Sequence, residues 1–492
     1  MTRRIQLFSL VLLAIFIGCA VLQFLSAGDI RALMLNTDAL NIPTVVDNII
    51  SQGGSLSNWY LSPAPYLFPD ALLHAIIHPF TESVYVRLAA FAALQIVLLF
   101  VVLWNLAIRT YRNHPIIIAV TITGTLTWMS VLRGGPYDQL MTAGFHYGAF
   151  LISILIVTLG LSNTTSYKRW CGIAILCFFT SLSDNIIVIQ TTIPLALTLT
   201  LIALFDAEHR THRLITAGVA AFSSLLGSLS YGLLITHDTR YPIEFNVNKF
   251  RVNADGVRDV LVDFLQDHHF VSAAMLMCVV LAIHYFIRLT QRLRRTTPIA
   301  ILSIFVFAST VCTSIGLLLA TTNEMTIRYF LPVFSWPIIF CGLIIFNIEI
   351  FGGKFPVIVS TISALLFSFN TANLIDANGI DRTFYPPDIA CIDNALSSTT
   401  AVHGMANYWD AKYIQVFSKR NIVLAQHWDV LAPMKWITTQ DYYRDTYDFA
   451  IISTNASPPF TLSQDLIVKT YGEPQTSTTC GTRIVLVFQQ GE

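Results

Sequence analysis

Long apolar runs separated by short polar turns occupy the first three quarters of the chain, and runs of about 18 residues or more predict membrane-spanning helices. They fall near residues 5–27, 84–107, 115–132, 147–161, 170–183, 186–205, 214–235, 271–289, 298–320, 329–348 and 355–373, about eleven spans. The fourth, fifth and sixth are short, which leaves the count open by one or two. After residue 374 the pattern changes. Short β-rich runs at 421–425, 448–453, 466–470 and 483–488 alternate with a predicted helix, NYWDAKYIQVF (407–417). The expected fold is therefore mainly α: a polytopic helical membrane region over 1–374, followed by a small extracytoplasmic α/β domain over 375–492.

Composition agrees with a bilayer environment, since 54% of the 492 residues are hydrophobic and only 12% charged, with zero formal net charge. Balanced charge implies no nucleic-acid partner. Short cytoplasmic loops should hold the Lys and Arg residues. Arg3 and Arg4, Arg109 and Arg112, Lys168 and Arg169, Arg210 and Arg213, the group Arg288, Arg292, Arg294 and Arg295, and Lys354 fall in alternate loops. That places the N-terminus in the cytoplasm and turns the first loop (28–83), the loop 236–270 and the tail outward. The charged, apolar start is long enough to span and lacks a clear cleavage site, so it reads as a retained first helix.

Six of eight cysteines lie in apolar spans. Cys391 and Cys480 lie in the outward tail, where an oxidising compartment can keep them paired, so a disulfide is expected. Asn455-Ala-Ser is a formal glycosylation acceptor. Internal repeats, nucleotide-binding loops and zinc-ligand clusters are absent from the sequence.

The chemistry concentrates in the first outward loop, which carries Asp38, Asp47 and Asp70. Asp38 lies just beyond the first span, where a carboxylate can take a proton from an attacking hydroxyl or hold a divalent metal (Mg or Mn) against a phosphate. It could instead cap a helix beginning at Ala39. Asp47 belongs to an amphipathic stretch whose Ile42, Val45, Val46, Ile49 and Ile50 could lie on the membrane surface. The proline-punctuated run 57–70 interleaves Trp59, Tyr60, Tyr66 and Phe68, which suit sugar stacking or an interfacial aromatic belt.

Other outward turns carry Arg133, Asp138 and His146, and Asp184 in the short turn 183–185. An acid held at the membrane boundary is costly without a partner or a job. For Asp184 the alternatives are function, pairing with Arg133, or helix capping. Arg328 opens a late span, where its planar fork can bind phosphate or snorkel to head groups. In the tail, His403, Tyr408, Trp409 and Asp410 are expected to form a polar and aromatic cluster at the start of a helix that could recognise a glycan, with packing of Trp409 into the domain core as the plainer expectation.

An acid in a large first outward loop, an amphipathic juxtamembrane stretch, many spans, R-Y-x-x-P (Arg328, Tyr329, Pro332) and an outward tail together resemble the GT-C superfamily of integral membrane glycosyltransferases. The stretches TDALNIPTVVDNI, SNWYLSPAPYLFPD, GMANYWDAKYI, YDFAII and YGEP resemble bacterial membrane proteins of that build. The resemblance implies transfer of a sugar from a polyprenyl-phosphate donor to a lipid or glycan acceptor, among membrane lipids on the outer face of the bacterial inner (plasma) membrane. By the resemblance, Asp38 would be the general base or metal-associated acid and Arg328 would hold the donor phosphate. Asp184 as a second catalytic acid and His146 as a substrate contact match no family motif and are expected from their place at the outer boundary, with Arg133, Asp47, Tyr66 and Asp70 as further expected substrate contacts. The chain lacks an adjacent Asp-Glu pair in the first loop and an oligosaccharyltransferase-type tryptophan-aspartate signature in the tail. A transporter or lipid flippase, and a non-catalytic envelope scaffold, remain as other readings; charges gathered at span ends on one side disfavour the transporter.

Overall fold

The computed structural model describes residues 2–27, 29–110, 114–131, 139–162, 164–234, 246–267, 269–290, 297–320, 325–346 and 354–488. The first apolar run is one helix, α1 (Thr2–Leu25). The first loop then folds into α2 (Asp29–Met34), α3 (Asn41–Ser51), a two-residue strand β1 (Trp59–Tyr60) and α4 (Leu72–Ile77). Apolar helices follow: α5 (Val84–Thr110), α6 (Pro115–Val131), α7 (Tyr147–Gly160), α8 (Tyr167–Ser183), α9 (Ile193–Phe205) and α10 (Arg210–Leu234). After α11 (Phe250–Asp267) come α12 (His269–Thr290), α13 (Pro298–Leu319), α14 (Leu331–Ile345) and α15 (Lys354–Asn378).

Proline begins several of these helices, where its missing N–H costs nothing. Thr297 caps α13 through the Ala300 N–H.

Among the described residues, seven helical segments are long and apolar enough to cross a membrane: Arg3–Leu25, Val84–Thr110, Val188–Phe205, Arg210–Leu233, Pro298–Leu319, Ile327–Ile345 and Lys354–Asn378. The remaining four expected spans coincide with α6, α7, α8 and α12, of which α6 and α7 are apolar but short. Leu197, Leu201 and Leu204 on α9, Leu225 and Leu229 on α10, and Ile358, Ile362, Leu365 and Phe369 on α15 stand exposed at helical spacing. Continuous apolar stripes of this kind suit lipid rather than water.

The described part of the 236–270 loop contains the amphipathic helix α11. One expectation for the first loop changes. In α3, Ile42, Val45 and Val46 are buried against Ile77, Phe91 and Trp59, and only Ile49 and Ile50 remain exposed. Protein takes the place expected for lipid because α4 and α5 fold against this face.

The tail contains α16 (Pro387–Ala395), β2 (His403–Ala406), α17 (Tyr408–Phe417), β3 (Val423–Gln426), β4 (Thr438–Thr439), β5 (Phe449–Ser453), α18 (Gln464–Tyr471), β6 (Thr476–Cys480) and β7 (Arg483–Val487). Five strands form one mixed sheet in the order β3-β2-β5-β7-β6, with β2 parallel to β3 and β5, and β7 antiparallel to β5 and β6. The run 466–470, expected as a strand, lies within α18. Ser463 caps it at Leu466 N and Gly472, at φ 85°, ends it, so the punctuation outweighs the β-branched residues. Cys391 and Cys480 are joined in a disulfide, tying α16 to the end of β6.

The tail is fastened to the first loop. Strand β1 pairs antiparallel with β4, matching Trp59 with Thr439 and Tyr60 with Thr438. Arg31 meets Asp381 at 3.4 Å and lies over the rings of Tyr85 and Phe384. One apolar cluster accordingly runs from α1 through the helical region into the tail sheet.

Candidate functional site

Asp38 sits in the tight turn between α2 and α3. The capping role open to it in sequence goes to Asn36, whose Oδ1 accepts from Ala39 N at 2.8 Å, while α3 starts at Asn41 without a side-chain cap. The Asp38 carboxylate instead accepts a hydrogen bond from the Tyr408 hydroxyl, 370 positions away on α17. Beside this contact, Thr37 Oγ1 donates to the Trp409 carbonyl at 2.7 Å. Burial chiefly, and then the Asp38 charge, hold the Tyr408 phenol well above the ordinary tyrosine range, so it stays a donor.

Asp184 follows the last residue of α8. Its Oδ2 lies 2.7 Å from His146 Nδ1, and Oδ1 accepts from Ile186 N at 3.3 Å. The partner found for this boundary acid is His146, which immediately precedes α7. Arg133 and Asp138 lie outside the described residues.

Arg328 lies in the single 3₁₀ turn, Ile327–Phe330, that opens α14. Its guanidinium carbon is 5.4 Å from the Phe145 ring centre and 5.5 Å from that of Tyr329. Its buried Nε has no hydrogen-bond partner among the described residues.

Tyr66 links these groups. Its ring meets the His146 ring edge-on at 5.5 Å, and the His146 ring lies 5.4 Å from Tyr329. Its hydroxyl feels the charges of Asp184, Arg328 and Asp38 together. Burial first, then Asp184, raise its pKa far above normal, so the phenol remains neutral. The backbone is strained here: Tyr66, Phe145 and His146 all adopt left-handed conformations, at φ 53°, 56° and 68°. Non-glycine residues rarely do so, and such strain gathers at functional sites. A wide i→i+5 turn carries Tyr66 into residues 67–71, and another follows Asp184 at 188–192. Ser183 fastens the two loops, its hydroxyl accepting from Phe68 N at 2.8 Å.

Asp70 lies in the first of these turns, buried behind the group. Burial, then Asp184, push its carboxyl well above the usual carboxylate range. The Gly144 N–H and, at 3.4 Å, Gln95 Nε2 donate to it. Gly148 must stay bare, since a Cβ there would stand 2.5 Å from Asp70 Oδ2.

Asp47 belongs elsewhere. It forms a two-pronged ion pair with Arg87, whose second prong measures 2.6 Å, and meets His78 at 3.1 Å. Trp59 is likewise buried, donating to Asn48 Oδ1 at 2.9 Å, so it is not available to an interfacial belt or a sugar.

In the tail, His403 lies on β2 and not at the start of a helix. The Trp409 side chain, expected in the core, is 46% exposed and packs edge-on against Tyr408 and Phe460. Tyr408 and Lys412, one helical turn apart, take the inward face. Lys412 is 4% exposed with its ammonium 4.9 Å from the Tyr408 ring centre, and burial pulls its pKa down to about 7 against the opposing pull of Asp38. Sequence reasoning overlooked Lys412 because a lysine on a helix reads as solvent-facing; its i,i+4 spacing from Tyr408 was the available signal.

Among the described residues no three of His, Cys, Asp and Glu come together as a metal-binding group. The two acids at the centre are engaged by Tyr408 and His146, and this donor set does not fit a protein-built metal cage. No protein-family model matches this chain, and no curated protein matches it.

Proposed function

We propose that this chain is a membrane glycosyltransferase with about eleven spans, a cytoplasmic N-terminus and an outward tail, moving a sugar from a polyprenyl-phosphate donor to a lipid or glycan on the outer face of the plasma membrane. The observation that carries the reading is the gathering of Asp38, the Asp184–His146 pair and Arg328 around Tyr66. An acid that can accept a proton and an arginine with an unused donor are the two parts that transfer from a phosphate leaving group requires. The Cys391–Cys480 bridge supports an oxidising, outward compartment for the tail.

In the proposed reaction the acceptor hydroxyl gives its proton to the Asp38 carboxylate as its oxygen bonds to the anomeric carbon. The bond from that carbon to the phosphate oxygen breaks, and its electron pair leaves with the polyprenyl phosphate. Arg328, with Nε and its planar fork, stabilises the charge on the departing phosphate. Asp184 holds His146 by Nδ1, leaving Nε2 for a substrate hydroxyl.

The test is mass spectrometry of envelope lipids and glycans from cells lacking the protein, complemented with wild type or Asp38→Asn at equal membrane abundance. A sugar restored by wild type alone is the expected result. Equal restoration by Asp38→Asn would remove Asp38 as the base.

A further inference from the structure

The tail's grip on Asp38 is built in layers. Asn407 caps α17, its Oδ1 accepting from Trp409 N at 2.8 Å and Asp410 N at 3.1 Å. Its amide nitrogen donates to Asp410 Oδ2 at 2.7 Å. Asp410 Oδ1 in turn takes Arg483 Nε at 2.8 Å and its terminal nitrogen at 2.7 Å. Arg483 also pairs with Asp388 on α16. The Cys391–Cys480 bridge joins the same two segments, three residues beyond Asp388 and three before Arg483. A covalent link, a double ion pair and a helix cap thus converge on the first turn of α17, whose first residue is Tyr408.

Below that turn, buried Lys412 packs against the Tyr408 ring. Oriented so that both its ends are satisfied, the Gln426 amide accepts from Lys412 Nζ at 3.1 Å and donates to the Trp436 carbonyl at 2.9 Å. The ring is packed by Lys412 and, edge-on at 4.9 Å, by Trp409, and its hydroxyl is delivered to a carboxylate carried by a different part of the chain.

We infer that Tyr408 is a positioning residue: the tail supplies the hydroxyl that orients the Asp38 carboxylate, so the reacting centre is shared between the first loop and the C-terminal domain. This rests on the transferase reading for its catalytic meaning, but the orienting contact can be tested without any sugar substrate. A charged acceptor held by one good donor has a preferred oxygen and rotamer, and loses both when the donor goes.

The full-length protein in detergent is treated with a water-soluble carbodiimide and glycine methyl ester, and modification of Asp38 is followed by mass spectrometry in wild type and Tyr408→Phe. Hydrogen exchange of β2 and β5 is measured alongside to report whether the tail remains folded. With exchange unchanged, Tyr408→Phe is expected to speed Asp38 modification about tenfold, the equivalent of one hydrogen bond to a charged group. Equal modification in the two proteins would overturn the inference. If Tyr408→Phe perturbs exchange, Arg483→Lys, which keeps the charge but not the fork on Asp410, replaces it; faster Asp38 modification supports the inference and an unchanged rate overturns it. In cells, Asp38→Asn and Tyr408→Phe separate the two ideas. Loss of the sugar product in both supports both, and retention in Asp38→Asn removes Asp38 as the base. Full retention in Tyr408→Phe with loss in Asp38→Asn defeats the positioning role alone.

Discussion

His146 Nδ1 and Asp184 Oδ2 lie 2.7 Å apart, both buried, one at the end of the loop before α7 and the other at the start of the loop after α8. Neither side chain can be removed without leaving the other a buried polar group with one partner fewer. Asp184→Ala should therefore destabilise by about 1–3 kcal/mol. His146→Ala should do the same, and the double variant should cost less than the sum of the two. A double-mutant cycle from chemical unfolding in detergent measures this, and strict additivity would show that the contact carries no coupling.

The Asp47–Arg87 pair makes a stability prediction for the first loop. Arg87 is 2% exposed, and its guanidinium is matched two-to-two by the Asp47 carboxylate. Asp47→Ala leaves that cation buried without its main counter-charge, at a cost on the order of 3 kcal/mol. Protease nicking between residues 28 and 83 should accelerate correspondingly, while a cut rate equal to wild type would mean that α3 is held by its apolar face alone.

Lys412 gives the tail a defined pH response. Its pKa lies at about 7 in the folded protein against 10.5 in the ordinary lysine reference. Between those values the unfolded chain binds a proton that the folded chain has shed, so stability rises with pH across this window and is lost as pH falls from 10.5 towards 7. Lys412→Met removes the dependence. Its melting temperature should exceed wild type by roughly 5 °C at pH 7 and converge with it near pH 10. A gain that is constant with pH would show that Lys412 is not buried uncharged.

Gly148→Ala tests the close approach of α7 to Asp70. The added methyl would meet the carboxyl oxygen at 2.5 Å, well inside contact distance, forcing α7 or the 67–71 turn to move. Overpacking of this kind costs about 1–3 kcal/mol. Gly218, with open space around its Cβ position, is the matched comparison, and Gly218→Ala should leave the unfolding midpoint at or above that of wild type. Equal midpoints for the two alanine variants would refute the crowding.

The legible parts of this molecule are those that local patterns encode. Apolar runs marked where helices form, the two cysteines of the tail marked their bridge, and Asn407 with the run after it marked α17. Partnerships across the chain were not legible. Nothing near Asp38 announces Tyr408, and a two-residue strand such as β1 has too few positions to show alternation. Asp47 read as part of a membrane-surface helix and as a substrate contact because nothing near it in sequence points to Arg87, 40 positions on. Trp409, expected in the core, stands outward beside the inward Tyr408 because adjacent helical positions differ by about 100° and the inward direction is set by the first loop, not by the tail's own sequence.

The pairing of β1 with β4 joins residue 59 to residue 439, and Tyr408 of the same tail meets Asp38 of the same loop. A ribosome finishes the first loop long before it reaches either partner. During synthesis the early acid therefore waits uncompleted while every apolar helix is inserted, and only the arrival of the last stretch of polypeptide closes its surroundings. A chain truncated before α17 could still insert its helices, but it would carry an open, unfinished centre.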